Sequence, residues 1–155
     1  MPKPSGLSWT DAATIPVAGE AATRGLRLLK LKSGETLLVN GASGAVGTIA
    51  AQLALDVGVT VIGTASEKHH DTLRELGVTP TTYGEGLADR VRELAPNGVD
   101  AVLDLGFGGL EVAMELRGGT DRIVTLSDGA AFGLGITFSS GNAGDAARRH
   151  CARWA

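Results

Sequence analysis

The chemistry is most legible in the run Asn40-Gly41-Ala42-Ser43-Gly44-Ala45-Val46-Gly47. It joins an apolar stretch, Thr36-Leu37-Leu38-Val39, to a segment in which Val46, Ile49, Ala50, Leu53 and Val57 recur at helical spacing. The three glycines have separate tasks. Gly41 takes the backbone out of the strand, Gly44 admits an anion to the amides of the helix N-terminus, and Gly47 lets the helix lie close on the strand. A pyrophosphate is the ligand that such a turn suits, and Gly41, Ala42, Ser43, Gly44, Ala45, Val46 and Gly47 are all assigned to it. The plain alternative is a tight strand-to-helix turn with no ligand. The regular alternation of elements downstream argues for a dinucleotide instead.

The tip of the second strand decides which dinucleotide. An acid about 20 positions after the turn would bond the ribose hydroxyls of NAD. The sequence there is Gly63-Thr64-Ala65-Ser66, with Glu67 only at the start of the next helix. Small residues leave room for a 2′-phosphate beside Thr64, with Ser66 as a hydrogen-bond donor and Lys68 or His69 as a cationic partner. NADP(H) is therefore expected over NAD. His69 has a second reading as a packed or capping histidine, since it shares a helix with Leu73 and Leu76. His70 and His150 are expected to face solvent. Further along, Asp104 ends an apolar run ahead of Gly106-Phe107-Gly108-Gly109. Backbone lines the cofactor crevice there, so Leu105, Gly106 and, one strand later, Leu126 join the expected contacts; Asp104 itself reads as a turn cap.

Other chemistries find little support. No serine, histidine and acid form a nucleophilic triad, and no catalytic residue is assigned. Tyr83 is followed at the fourth place by Leu87, not by the lysine of a short-chain dehydrogenase. A methyltransferase would want an acid at the second-strand tip. The three histidines and the single cysteine, Cys151, lack zinc-ligand spacing, so no metal is expected.

Positioning these residues requires an alternating scaffold. Periodicity predicts a lead-in helix over 8–31, strands at 36–40, 60–64, 81–83, 99–105, 122–126 and 136–139, and helices at 44–57, 67–76, 87–94 and 110–116. Strands alternating with helices imply a parallel sheet with helices on both faces. Six strands match two βαβαβ halves, so a Rossmann α/β fold in the order 3-2-1-4-5-6 is expected, with the crevice at the carboxyl ends of the first and fourth strands. The division expected is a lead-in segment, 1–33, a dinucleotide-binding domain, 34–140, and a tail, 141–155.

Composition fits this picture. At 155 residues the chain can bury roughly two-thirds of its unfolded surface in one core. Its 43% hydrophobic residues and 23 glycines suit a folded protein rich in tight turns. A net charge of -3 with mixed signs offers no field for nucleic acid or anionic lipid, and neither a membrane span nor a signal peptide is visible. One cysteine and no leader make the cytoplasm the expected compartment.

Several motifs together resemble a known family: Leu7-Ser8-Trp9-Thr10-Asp11-Ala12-Ala13-Thr14-Ile15-Pro16-Val17-Ala18, then Gly34-Glu35-Thr36-Leu37-Leu38-Val39, then the glycine turn with Ala51-Gln52-Leu53-Ala54, and Val99-Asp100-Ala101-Val102-Leu103-Asp104 before Gly108-Gly109. From about Pro4 to Ser140 the chain is similar to the medium-chain dehydrogenase/reductase superfamily, in its zinc-independent quinone-oxidoreductase branch. The resemblance implies NADPH-dependent reduction of a quinone or an enone, the cofactor carrying the hydride chemistry. It places Ser66, His69 and Tyr83 near the 2′-phosphate; family members often have lysine at the place of His69, whereas here Lys68 is one residue off register. It also implies a homodimer through the sixth strand, 136–139. Two departures stand out. The GroES-like substrate domain of family enzymes is not recognisable, so a cofactor-binding domain is expected, and Ala21 replaces a threonine that the family keeps near the nicotinamide. A catalytically silent NADP(H)-binding or dimerisation module is the alternative.

Overall fold

The computed structural model describes residues 6, 8–106 and 108–141. The tail, with His150 and Cys151, lies outside them. Six parallel strands form one sheet in the order β3-β2-β1-β4-β5-β6. They are β1 (Thr36–Asn40), β2 (Thr60–Thr64), β3 (Thr79–Thr81), β4 (Ala101–Asp104), β5 (Ile123–Thr125) and β6 (Thr137–Phe138). The expected Rossmann architecture and strand order are both present.

Alternation along the strands divides the core in two. Leu37, Val39, Val61, Ala101, Leu103 and Val124 face one layer; Leu38, Ile62, Val102 and Ile123 face the other. Both faces are buried, which is why the strands read as continuous apolar runs. The first layer contains α1 (Trp9–Leu29), α2 (Ala45–Asp56) and α3 (His70–Glu75), and the second α4 (Leu87–Leu94), α5 (Leu110–Arg117) and the short α6 (Ala131–Leu134). Small residues on α2, Gly47, Ala50, Ala51 and Ala54, are all buried and let it approach the sheet closely.

Long-range bonds fasten α1 at both ends of the sheet. Arg24 donates to the carbonyl of Ser139 at 2.8 Å, just beyond β6, and also bonds the Ser139 hydroxyl. At the amino ends of the strands Arg122, ahead of β5, donates to Leu29 O at 3.1 Å and forms an ion pair with Glu35 at 2.6 Å. Glu35 is held at a pKa of about 2, chiefly by the hydrogen bond from Arg122.

Several expected boundaries move. The third strand lies at 79–81, not 81–83, because pairing with β2 sets Ile62 against Thr79 and Thr64 against Thr81. Its Pro80 disguises it as a turn, yet proline is tolerated on an edge strand, where one side of the ladder is unpaired. Tyr83 consequently falls in the loop beyond the strand. The segment expected as one helix at 67–76 is a 3-10 turn, Glu67–His69, followed by α3. The four-residue α6 carries too little periodicity to be seen in sequence.

Candidate functional site: a cleft at the strand tips

At the carboxyl end of β1 the chain turns sharply. Gly41 has φ +87°, a conformation that glycine adopts without strain. Its N–H donates to Thr64 Oγ1 at 2.9 Å and the next, of Ala42, to Thr64 O at 2.9 Å, so the turn is stitched to β2. The first helical bond of α2 runs from Thr48 N–H to Gly44 O. The N–H groups of Ser43, Ala45, Val46 and Gly47 form no bond to another described residue. Unpaired amides at a helix start, with the helix dipole behind them, suit an anion.

The glycines differ in what they serve. A Cβ at Gly47 would lie inside contact distance of Gly41 O and 2.8 Å from Ala42 Cα, so α2 could not sit where it does. At Gly44 a Cβ would meet only Gly41 O, at an ordinary 3.5 Å. Nothing within the described chain requires glycine there, and the open side is where a ligand would approach.

A hydrogen-bonded chain runs across four strand tips. Thr64 Oγ1 donates to Asn40 Oδ1 at 2.6 Å, Asn40 Nδ2 to Asp104 Oδ1 at 2.6 Å, and Thr125 Oγ1 to Asp104 Oδ2 at 2.7 Å. Thr125 Oγ1 in turn accepts the N–H of Asp128 at 3.1 Å, and Asp128 accepts that of Gly108 at 3.0 Å. Asp104 is fully buried. Desolvation pushes its pKa up, against hydrogen bonds from Asn40, Thr125 and the Gly106 N–H that pull it down; the charge of Asp128 adds to the rise. Far from a simple turn cap, Asp104 joins the two halves of the sheet. Its partners are 64 and 21 residues away in sequence, which hides the network. One signal was available, since β1, β2, β4 and β5 each end an apolar run on a polar residue.

Over these tips lies a cleft of about 600 Å³. Of the expected cofactor residues, Gly41, Ser43, Thr64, Tyr83 and Gly106 line it. Ala42 and Gly47 are buried beneath the turn, while Gly44 and Ala45 are exposed at the helix start. Val46, Leu105 and Leu126 pack against the core, Leu105 lying directly against Gly41. Ser66, Lys68 and His69 follow Ala65, which marks the cleft's edge on β2. Their side chains, with those of Ser43 and Tyr83, make no hydrogen bond or ion pair to another described residue. His70, expected toward solvent, instead turns Nε2 to the carbonyl of Ala65 at 3.2 Å. Sequence reasoning missed Asn40, Glu85, Gly109 and Val112 as lining residues. Among the described residues no group of three or more His, Cys, Asp or Glu side chains is arranged to hold a metal, and no helix is long and apolar enough to cross a membrane.

Comparisons with known proteins agree with this geometry. The family model described as zinc-binding dehydrogenase matches residues 45–116, from the start of α2 into α5. The synaptic vesicle membrane protein VAT-1 of Tetronarce californica is 42% identical over 105 residues, covering 65% of this chain and 28% of that protein. Among solved structures, the JamJ enoyl reductase aligns with a TM-score of 0.75 at 30% identity, over 89% of this chain and 46% of its own. The quinone oxidoreductase from Coxiella burnetii gives a TM-score of 0.75 at 26% identity, over 99% of this chain and 51% of its own. The chain thus spans about half the length of these structures, and less of VAT-1. With the 3-2-1-4-5-6 sheet and the glycine turn already in place, these matches show the chain to be similar to the nucleotide-binding part of the medium-chain dehydrogenase/reductase superfamily, beside its quinone oxidoreductases and enoyl reductases.

Proposed function

We propose that the chain holds NADP(H) for an oxidoreductase that reduces a quinone or an enone. The observation that carries this reading is a pair of features at the cleft: Ser43, which lines it and leads into amides at the start of α2 that are unpaired among the described residues, and a β2 tip without a carboxylate. The pyrophosphate would lie against Ser43 and the first turn of α2, with Gly44 leaving the approach clear. The 2′-phosphate would meet Ser66, whose hydroxyl is uncommitted, with Lys68, His69 and Tyr83 around it. Gly106, Leu105 and Leu126 would follow the cofactor across β4 and β5. NADPH supplies the hydride; the residues of this chain bind it, orient it and hold the strand tips in register.

Around this core we place a lead-in segment at 1–33, the nucleotide-binding domain at 34–140 and a tail at 141–155. The partner is a small molecule in the cytoplasm. A homodimer through β6 fits the open edge of that strand, where Phe132, 76% exposed, packs on Phe138 with ring centroids 5.0 Å apart. A second reading, a catalytically silent NADP(H)-binding or dimerisation module, is favoured by Ala21, which occupies the place of the family's threonine.

Titration calorimetry with NADPH and NADH, on the wild type and on Ser66→Asp, tests the cofactor assignment. We expect NADPH to bind the wild type more tightly and the preference of Ser66→Asp to move toward NADH. An unchanged preference would show that the 2′-phosphate lies elsewhere. NADPH oxidation with quinones and enones separates the two functional readings, since any turnover above the uncatalysed rate excludes the silent module.

A further inference from the structure

We propose that Arg90 is a positioning residue for the adenosine end of the cleft: its guanidinium braces the loop between β3 and α4, so that Tyr83 stands in the wall. The inference rests on the reading of the cleft as a nucleotide site. Arg90 lies in the first turn of α4 and is half-buried. Its Nη2 donates to Thr82 O at 2.9 Å and its Nη1 to Glu85 O at 2.8 Å, while Nε reaches Thr81 Oγ1 at 3.3 Å. One planar group therefore grips the loop on both sides of Tyr83.

Besides Arg90, among the described residues only the Leu87 N–H, donating to Gly84 O at 3.2 Å, hydrogen-bonds residues 82–85. Gly84 and Gly86 both have positive φ, at +89° and +72°, and Tyr83 is 62% exposed without a hydrogen bond to another described residue. A Cβ at Gly86 would come within 3.0 Å of Arg90 Nη1, so the loop is shaped around the guanidinium. The use of this arginine is also distinctive. Arg24, Arg74, Arg92, Arg117 and Arg122 each meet a carboxylate, whereas Arg90 forms no ion pair among the described residues and directs its fork at backbone carbonyls. Lysine, a single point charge on a flexible stem, cannot span two carbonyls in fixed geometry.

The test uses the full chain, with NADPH affinity measured by calorimetry and loop conformation by fluorine NMR. The sequence has one tyrosine, so 3-fluorotyrosine labelling gives a single resonance, from position 83. Arg90→Gln and Arg90→Lys should each weaken NADPH binding about tenfold, because the loop spends only about a tenth of its time in the binding conformation. The unliganded resonance should move toward the position of free fluorotyrosine in both variants. Tyr83→Ala should weaken binding to a similar extent, and Arg90→Gln combined with Tyr83→Ala should bind no more weakly than Tyr83→Ala alone. Additive losses in the double variant, or an unmoved resonance in Arg90→Gln, would overturn the proposal. Should the wild type fail to bind NADPH, the functional reading falls, and the resonance alone still decides whether Arg90 positions Tyr83.

Discussion

At the carboxyl tips of the strands the carboxylate of Asp104 is fully buried and is met by neutral donors, Asn40 and Thr125; at their amino ends Glu35 keeps partial contact with water and is met by the guanidinium of Arg122. The difference shows in the direction of their pKa shifts. Desolvation raises the pKa of Asp104, whereas Arg122 lowers that of Glu35 to about 2. A fully ionic pair at the tips would place a fixed positive charge beneath the cleft. Neutral donors instead align Asn40, Thr64 and Thr125 and add no charge there, and under the proposed function an anion would be met by backbone amides. The Arg122–Glu35 pair lies away from the cleft residues, and a charged latch there can serve stability alone.

The sharpest way to break this division lies in the glycine turn, where a binding role and a packing role sit three residues apart. Gly47→Ala should cost about 3 kcal/mol, because α2 must lift from the turn, and should abolish NADPH binding along with it. Gly44→Ala should leave the melting temperature within the shift expected for about 0.5 kcal/mol while weakening NADPH roughly a hundredfold. Thermal melts paired with calorimetry read both effects. Equal losses of stability in the two variants would erase the distinction between them.

A smaller effect is expected at the amino ends of the strands. Arg122→Ala removes the donor to Glu35 and Leu29 O and should cost about 2 kcal/mol, with NADPH affinity unchanged. An altered affinity would mean that the two ends of the strands are coupled. The pH dependence sharpens the contrast further. Glu35 has a folded pKa below its unfolded value, so its contribution is present above about 4.5 and is lost as pH falls toward about 2. Asp104 has the opposite sign: its raised pKa favours the folded state at low pH, and that contribution is lost as pH rises from 3.8 through the folded value. Denaturant melts across this range should show Glu35→Gln and Asp104→Asn changing the slope of stability against pH in opposite directions. Slopes that changed in the same direction would refute the assignment of two chemistries.

Much of this site was legible in the sequence because its logic is local. Gly41, Gly44 and Gly47 stand at a strand-to-helix junction that hydrophobic period alone defines, and the absence of an acid at Thr64-Ala65-Ser66 needs only a count from that junction. The third strand was misplaced by two residues because Pro80 reads as punctuation, and only its register against β2 shows that the edge tolerates it. His70 looked like a surface residue until the backbone of Ala65 came within reach.

Sequence by itself determined the six-strand alternation, the two-sided burial and the position of the glycine turn, since each follows from apolar period and glycine placement within a short window. Only the tertiary structure decided that Asp104 ties β4 to β1 and β5, that Arg122 closes on Glu35 from 87 residues away, and that Arg90 grips the Tyr83 loop. The physical reason is common to all three. A polar side chain near a strand end or a helix start is satisfied by whichever neighbour the sheet order brings beside it, and that neighbour is chosen by the packing of the whole domain rather than by adjacent sequence.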